Sequence, residues 1–305
     1  WYHGTVPVAP RRAARARRVR FDMSLSIHVL PPRSAPSPFV SGGCCTSCAA
    51  PPHCSNSRME EMHLVELVLP SLRPGPPRTF LELGGADGLF LSNTLFLEHC
   101  LKFSGLLIEA SPTSFRGLEK NRPGAAVVHA AVCERGGRTY VEGGANGADT
   151  VSSRRGRRSV EIPCAPLDAI VGELGWRHLA FLSLDVEGSE LFVLQATNWS
   201  ALTVASAVVE ERKAELKKNQ KVAAFFEQTL GMHRVLTACW KMGRLCDAYY
   251  VHPAFVDVGQ VLARRDARGL GAREAATEAD EHRDRGLYAP NRHRTLHCGR
   301  SADIL

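Results

Sequence analysis

Three acids, Asp185, Glu187 and Glu190, crowd into six residues directly after the apolar run Leu182-Ser183-Leu184. Carboxylates in such a place can draw a proton from a hydroxyl or balance a cationic ligand. The side-chain period of two in an extended chain puts Asp185 and Glu187 on one face. Glu190 falls in the first turn of the helix expected next, where a negative charge suits the helix dipole, so its role reads as structural. Glu210, at the end of the apolar run Val204–Val209, is a third group able to accept a proton.

A second set lies upstream, where an apolar run ending in Glu82-Leu83 enters Gly84-Gly85-Ala86-Asp87-Gly88. Glycines between a strand and a helix let the backbone approach a ligand where a Cβ would clash, and the helix after them offers free N–H groups. The spacing is not the Gly-x-Gly-x-x-Gly of dinucleotide sites, and Glu82 and Asp87 would repel a pyrophosphate. They suit instead a ligand that carries an ammonium and a sulfonium. At about 4 Å that attraction is worth ~1 kcal/mol in water and a few times more when partly buried. Glu109 lies 21 residues beyond Gly88 at the end of the next apolar run, where a carboxylate can accept hydrogen bonds from both hydroxyls of a ribose. Ala130 and Ala131 end a third run and leave room for a flat ring. His129 beside them reads equally as a packed or a functional residue.

These groups need a scaffold that brings strand ends together. The apolar pattern predicts strands over Thr79–Leu83, Gly105–Ile108, Ala125–Ala131, Thr139–Glu142, Val160–Cys164, Leu179–Leu184, Val204–Val209, Arg234–Cys239 and Ala248–Val251. Between them it predicts helices over Leu89–Leu101, Pro112–Asn121, Leu167–Leu174, Ser189–Ala196 and Lys221–Leu230, with a short helix Met62–Leu69 ahead of the first strand. Strands alternating with helices imply an α/β fold with a mostly parallel sheet and helices on both faces, which gathers ligands at the carboxyl ends of its strands.

The chain resembles the FkbM methyltransferase family, in particular its eukaryotic branch. The resemblance rests on Phe80-Leu81-Glu82-Leu83-Gly84-Gly85-Ala86-Asp87-Gly88, Ser92-Asn93-Thr94, Leu106-Leu107-Ile108-Glu109-Ala110-Ser111-Pro112, Asn121-Arg122-Pro123, Ala130-Ala131-Val132-Cys133, Pro166-Leu167-Asp168 and Leu184-Asp185-Val186-Glu187-Gly188-Ser189-Glu190, in family order, over roughly Phe80 to Pro253. It implies a Rossmann-like seven-stranded class I methyltransferase sheet whose last strand is antiparallel, with S-adenosyl-L-methionine as cofactor. It implies that Glu82, Gly84 and Gly88 are cofactor-turn residues, that Glu109 is the ribose ligand and that Asp185 and Glu187 line the methyl-transfer pocket; Gly85, Asp87 and Ala130 join the expected cofactor contacts, with Asp185, from the residue reading. Asp185 and Glu187, with Glu210 from the residue reading, are the catalytic candidates, and no metal is expected. Many members carry Asp where Glu82 stands and Asn where Ala86 stands; Ala86 cannot hydrogen-bond through its side chain. The activity implied is O-methylation of a hydroxyl on a carbohydrate, lipid or secondary metabolite. An NAD-dependent oxidoreductase, and a non-catalytic binding protein that keeps the fold, are the other readings of these residues.

The net charge of +7 sits in residues 1–58, with eight Arg and one acid, Asp22; the remainder balances at 30 basic and 30 acidic residues. A basic pI therefore describes a leader and gives no ground for nucleic-acid binding by the folded part. That leader is rich in Arg, Ser and Pro and is expected to be disordered; its acid-poor start fits an organelle transit peptide, and without one the chain belongs in the cytoplasm. The chain starts at Trp1, consistent with a fragment or a processed form. Residues 254–305 read as a charged, mostly disordered tail. No apolar run is long enough to span a membrane. Cys44-Cys45-Thr46-Ser47-Cys48 lacks the second pair a zinc site needs, and the six scattered cysteines from Cys100 onward are expected reduced. Arg154-Arg155-Gly156-Arg157-Arg158 reads as a solvated loop. Asn198-Trp199-Ser200 matches an N-glycosylation signal, which matters only in a secretory protein.

Overall fold

The computed structural model describes residues 17–21, 25–30, 32, 57, 60–75, 77–143, 149–240, 244–270 and 274–275. In chain order its strands are β1 (Arg17–Phe21), β2 (Leu25–Leu30), β3 (Thr79–Leu83), β4 (Ser104–Glu109), β5 (Ala126–His129), β6 (Ala131–Val132), β7 (Gly137–Gly143), β8 (Asp149–Ser152), β9 (Val160–Ala165), β10 (His178–Leu179), β11 (Phe181–Leu184), β12 (Thr203–Val204), β13 (Ser206–Arg212), β14 (His233–Trp240), β15 (Leu245–Val251) and β16 (Glu274–Ala275). The α-helices are α1 (Glu60–His63), α2 (Leu95–His99), α3 (Pro112–Asn121), α4 (Leu167–Gly172), α5 (Glu190–Ala196), α6 (Leu216–Ala224) and α7 (Val258–Ala267).

The large sheet runs β1-β2-β5-β4-β3-β11-β13-β15-β14-β16. Its middle seven strands, β5-β4-β3-β11-β13-β15-β14, are the expected class I sheet. Strands β5, β4, β3, β11 and β13 are mutually parallel, and β15 runs antiparallel between β13 and β14. The path leaves β3 through β4 to β5, then returns to the other side of β3 as β11. That reversal opens a crevice at the carboxyl ends of β3 and β11, the usual ligand position in such sheets.

The central strands are mainly apolar because both faces are covered. Their side chains alternate between two cores. Leu81, Leu83, Leu106, Ile108, Leu182 and Leu184 pack on one face. Phe80, Leu107, Phe181 and Val208 pack on the other. Each fully buried Leu or Phe contributes roughly 1.5–3 kcal/mol. Slipping one strand by a single residue would exchange the two sets, so the register of the strand ends is fixed by the core.

Several elements depart from the sequence reading. The helix expected over Leu89–Leu101 is confined to α2, because Leu91 takes a positive φ of 56° and the polar run Ser92-Asn93-Thr94 is recruited elsewhere. The domain reading stops at Pro253, yet the chain continues into α7. Asp257 caps that helix by accepting from the Gln260 N–H at 3.0 Å, Val261 is fully buried, and the Arg265 guanidinium donates to the Val235 carbonyl at 2.9 Å. Its few apolar residues suffice because they meet the helical turn Leu64–Val68. In the leader, β1 and β2 pair antiparallel and β2 pairs with β5. The remainder of the leader, the Cys44–Cys48 run and residues 276–305 lie outside the described residues. Cysteines expected to be reduced are bonded: the disulfides between described residues are Cys133–Cys164 and Cys239–Cys246, because strand pairing places them opposite one another or on neighbouring strands, and Cys100 is disulfide-bonded as well. The first ties the end of β6 to β9 in the smaller sheet β6-β9-β7-β8. Among the described residues no helix is long and apolar enough to cross a membrane.

Candidate active site

The cofactor turn is held from inside the protein. Glu82, buried at 3% exposure within β3, accepts from the Ser92 hydroxyl at 3.0 Å, the Asn93 N–H at 2.8 Å and the Thr94 hydroxyl. Burial raises its pKa, and Arg122 with these three donors opposes the rise. Arg122 is itself fully buried. It donates to Glu98 at 2.6 Å, the Gly88 carbonyl at 3.1 Å, Ser92 at 2.8 Å and Thr94 at 3.0 Å, with its guanidinium over the Phe80 ring. The run Ser92-Asn93-Thr94 is thus spent on Glu82 and Arg122, which is why it does not extend α2. The start of α2 is also taken: Glu61 Oε1 accepts from the N–H groups of Phe96 and Leu97 at 2.6 and 3.2 Å. The sequence pattern places a helix N-terminus free for a ligand directly after the turn; in the fold, Glu61 occupies that N-terminus.

The glycines have protein neighbours rather than a ligand to explain them. A Cβ on Gly84 would lie 1.8 Å from the Asp185 carbonyl oxygen, and one on Gly88 would lie 2.5 Å from Arg122 Cγ; both residues have φ of 79°. Gly84 therefore lets the turn after β3 lie against the end of β11. Between the glycines Ala86 adopts φ of 45°, a left-handed conformation that Asn tolerates better than Ala. Asp87 Oδ1 accepts from Leu89 and Phe90 N–H groups at 2.9 and 2.7 Å and so closes its own turn. Gly85 is buried, and its N–H donates to the Ile108 carbonyl at 3.2 Å. Glu109 ends β4 nearly buried. One carboxylate oxygen accepts from the Ala86 N–H and the other from the Ser111 N–H, both at 2.7 Å. Ala130 is fully buried, its N–H on the Glu109 carbonyl at 3.2 Å. His129 stacks on Phe115 at 5.0 Å and its ring nitrogen lies 3.1 Å from the Ala110 carbonyl, with burial lowering its pKa.

On the other side of the crevice the charges are less well matched. Register places Leu184 beside Val209, so Asp185 and Glu210 leave adjacent strand ends together. Carboxylate oxygens of Asp185, Glu190 and Glu210 lie within 4.8 Å of one another. Glu190 is fully buried, accepts from the Gly188 N–H at 2.9 Å and pairs with Lys218. Arg212 pairs with Glu187 and, at 3.0 Å, with Glu210. Asp185 differs. Its side chain opens partly to the crevice, but Oδ1 is sealed from solvent and has no hydrogen-bond partner. Burial first, then the charge of Glu190, pushes its carboxyl up to about 7, against the pull of Arg212. Asp247, facing Glu210 across β13 and β15, is buried beside Glu60, and its carboxyl is raised well above the usual carboxylate range by burial and by Glu60. Glu187 has φ of 55°, a strained conformation that places its carboxylate on Arg212.

The structure thus gathers Gly84, Asp185, Glu190 and Glu210 at the β3–β11–β13 strand ends and Ala86, Glu109 and Ala130 at the β3–β4–β5 ends. It turns Glu82 inward and spends Asp87 on its own turn. Arg212, Lys218, Asp247 and Glu60 went unassigned in the sequence, because a charge on a strand or helix gives no sign of its partner. The three-carboxylate cluster has the spacing of a cation site, but Lys218 and Arg212 already neutralise two of its members. A cavity of about 350 Å³, lined by Trp199, Leu202, Thr229, Leu230, Met232 and His252, lies at the opposite edge of the sheet and shares no residue with this cluster.

A cationic sulfonium compound bearing adenosine fits these residues. The orphaned Asp185 oxygen and the surplus of carboxylates want positive charge, while the Glu109 carboxylate at the end of β4 is placed for a ribose. Comparison with known proteins agrees in kind. A model of the methyltransferase FkbM domain matches residues 82–240, just over half of the chain. A search of curated proteins returns no match. Among solved structures the chain is similar to the METTL16 MTase domain at 13% identity, covering 63% of this chain and 64% of that one, with a TM-score of 0.36. It is similar to the human methyltransferase 10 domain containing protein at 14% identity, covering 64% and 81%, with a TM-score of 0.38. It is similar to Aeropyrum pernix fibrillarin in complex with natively bound S-adenosyl-L-methionine at 10% identity, covering 64% and 74%, with a TM-score of 0.35. The chain therefore spans less than two thirds of the METTL16 domain's length. Strand order and family match lead to one conclusion: the chain belongs to the FkbM methyltransferase family.

Proposed function

We propose that the protein transfers a methyl group to a hydroxyl of a small molecule, glycan or lipid, with Asp185 as the base. The observation that carries this reading is the Asp185 carboxylate, buried and unpartnered at Oδ1 beside Glu190 and Glu210, whose own charges are paired with Lys218 and Arg212; burial and the charge of Glu190 push its carboxyl up to about 7. A base works best when its pKa lies near the operating pH, and such a group contributes roughly 10²–10⁴-fold. Bound S-adenosylmethionine supplies an electrophilic methyl carbon.

The chain's own residues then have separate tasks. Glu109 holds the ribose hydroxyls while its existing hydrogen bonds keep the Gly84–Gly88 turn closed. Ala130 leaves space beside it for the adenine. Glu82 and Asp87 act as positioning residues that shape the turn. Gly84, Gly85 and Gly88 let that turn pack against β11, Leu107 and Arg122. Asp185 accepts the hydroxyl proton of the acceptor. Glu187 and Glu210 fix Arg212, which limits how far the Asp185 carboxyl rises. Alignment of the acceptor oxygen on the methyl carbon supplies the remaining rate, since the donor is already activated.

The test is calorimetry with S-adenosylmethionine, followed by incubation with fractionated extract and mass spectrometry for a gain of one CH₂. Asp185→Ala should bind the cofactor more weakly and lose the gain even at saturating cofactor. Equal turnover in wild type and variant would remove Asp185 from the chemistry. Binding without methylation of any fraction would favour a non-catalytic protein.

A further inference from the structure

We propose that Asn198 carries an N-linked glycan and that the folded domain matures in an oxidising secretory compartment. Two independent observations converge on this, and neither depends on the methyl acceptor. The first is redox. Cys133–Cys164 and Cys239–Cys246 are disulfides within the folded domain, the first at the four-stranded sheet and the second in the large sheet. Stable disulfides persist in secretory and extracellular settings and are rare in reducing ones.

The second is the presentation of Asn198-Trp199-Ser200. The segment turns away from α5 on the way to β12, at the amino edge of the sheet, opposite the strand ends that hold Asp185 and Glu210. Asn198 and Ser200 are exposed, whereas Trp199 turns inward: its Nε1 donates to the Leu194 carbonyl at 2.7 Å and its ring packs on the core. The backbone of Asn198 is fixed by its N–H donating to Asp168 Oδ1 at 3.1 Å. Asn198 Oδ1 accepts from the Ser200 hydroxyl at 2.7 Å and the Ser200 N–H at 3.2 Å. The hydroxyl of the signal is thus engaged with the amide it serves, and Asn198 Nδ2 has no partner among the described residues. Asn198 is the acceptor atom's residue in the Asn-x-Ser pattern, with no proline at the middle position.

The donor is a lipid-linked oligosaccharide diphosphate. A bond forms between Asn198 Nδ2 and the anomeric carbon, and the bond from that carbon to the diphosphate oxygen breaks. The lipid diphosphate leaves, and the displaced Nδ2 proton passes to solvent. A glycan at this edge extends into water without crossing the cofactor crevice, so it is compatible with cofactor binding.

The full chain, placed behind a secretion signal and expressed in a eukaryotic cell, tests this. Peptide mass spectrometry should find a glycosidase-sensitive increment on the peptide holding Asn198, lost in both Asn198→Gln and Ser200→Ala and kept in Ser200→Thr. Thiol alkylation before reduction should leave Cys133, Cys164, Cys239 and Cys246 unlabelled. Asn198→Gln should bind S-adenosylhomocysteine with unchanged affinity, showing it folded. A secreted, cofactor-binding chain with bare Asn198, or one whose four cysteines alkylate freely, overturns the proposal.

Discussion

The two sides of the crevice are both lined with acids, yet they are built differently. On the β3–β4 side, Glu82 and Glu109 have each of their oxygens engaged by internal donors, and Arg122 knits the turn to Glu98, Ser92 and Thr94. On the β11–β13 side, Arg212 and Lys218 answer Glu187, Glu190 and Glu210, and Asp185 is left with a sealed oxygen and no donor. A carboxylate with an internal donor on each oxygen is fixed in place at folding and keeps only its remaining lone pairs for a ligand. One whose needs are unmet stores the electrostatic drive that a cation or a proton can release.

Variants that exchange these conditions break the comparison. The largest effect belongs to Arg122→Met. Removing this cation leaves Glu82 and Glu98 buried without it, at a cost of about 3–5 kcal/mol in denaturant unfolding. Affinity for S-adenosylhomocysteine should fall with it as the Gly88–Thr94 segment loosens. A neutral result would mean that Arg122 is not what holds the turn.

Asp185→Asn should act in the opposite direction. The folded carboxyl keeps its proton up to about 7, whereas the unfolded chain releases it near its ordinary value of 3.8. Between those values the native state binds more protons, so the wild type loses stability as pH rises through that window. Asn removes the loss, and the variant should be more stable than wild type by about 1–3 kcal/mol at pH 8 and equal to it near pH 4. Unfolding curves at the two pH values check this; destabilisation at pH 8 would contradict it.

Smaller shifts sharpen the picture. Arg212→Gln removes the cation that holds the Asp185 carboxyl down, so its titration should move upward by about one unit, read by carboxyl-resolved NMR. Ala86→Gly relieves the left-handed strain in the cofactor turn and should raise stability by about 0.5–1 kcal/mol in denaturant unfolding. A loss of stability there would show that the Ala86 methyl packs usefully.

Much of the fold was legible because burial on both faces writes itself as apolar runs. Thr79–Leu83 and Leu179–Leu184 read as strands, and the acids Glu109 and Asp185 read as strand ends. The same local pattern could not show which way a side chain is answered. Glu82 reads as a ligand contact from its place before the glycines, but Ser92, Asn93 and Thr94 reach it from ten to twelve residues away. Helix α2 is shorter than the helical spacing of Leu89–Leu101 suggests for the same reason, since the tertiary claim on its polar residues overrides that spacing. Cys133 and Cys164 are 31 residues apart, and only the pairing of β6 with β9 brings them together. Helix α7 escapes a sequence reading because one buried valine, Val261, and the Arg265 contact to the Val235 carbonyl leave little trace in hydropathy.

Among the carboxylates at the β11–β13 strand ends, Asp185 has a sealed oxygen with no donor. Carbon-13 NMR of carboxyl-labelled protein, with the Asp185 signal assigned by its loss in Asp185→Asn, reads this directly and needs no knowledge of the acceptor. A titration near pH 7 is expected, falling when S-adenosylmethionine is bound. A midpoint near ~4, indifferent to the cofactor, would contradict it.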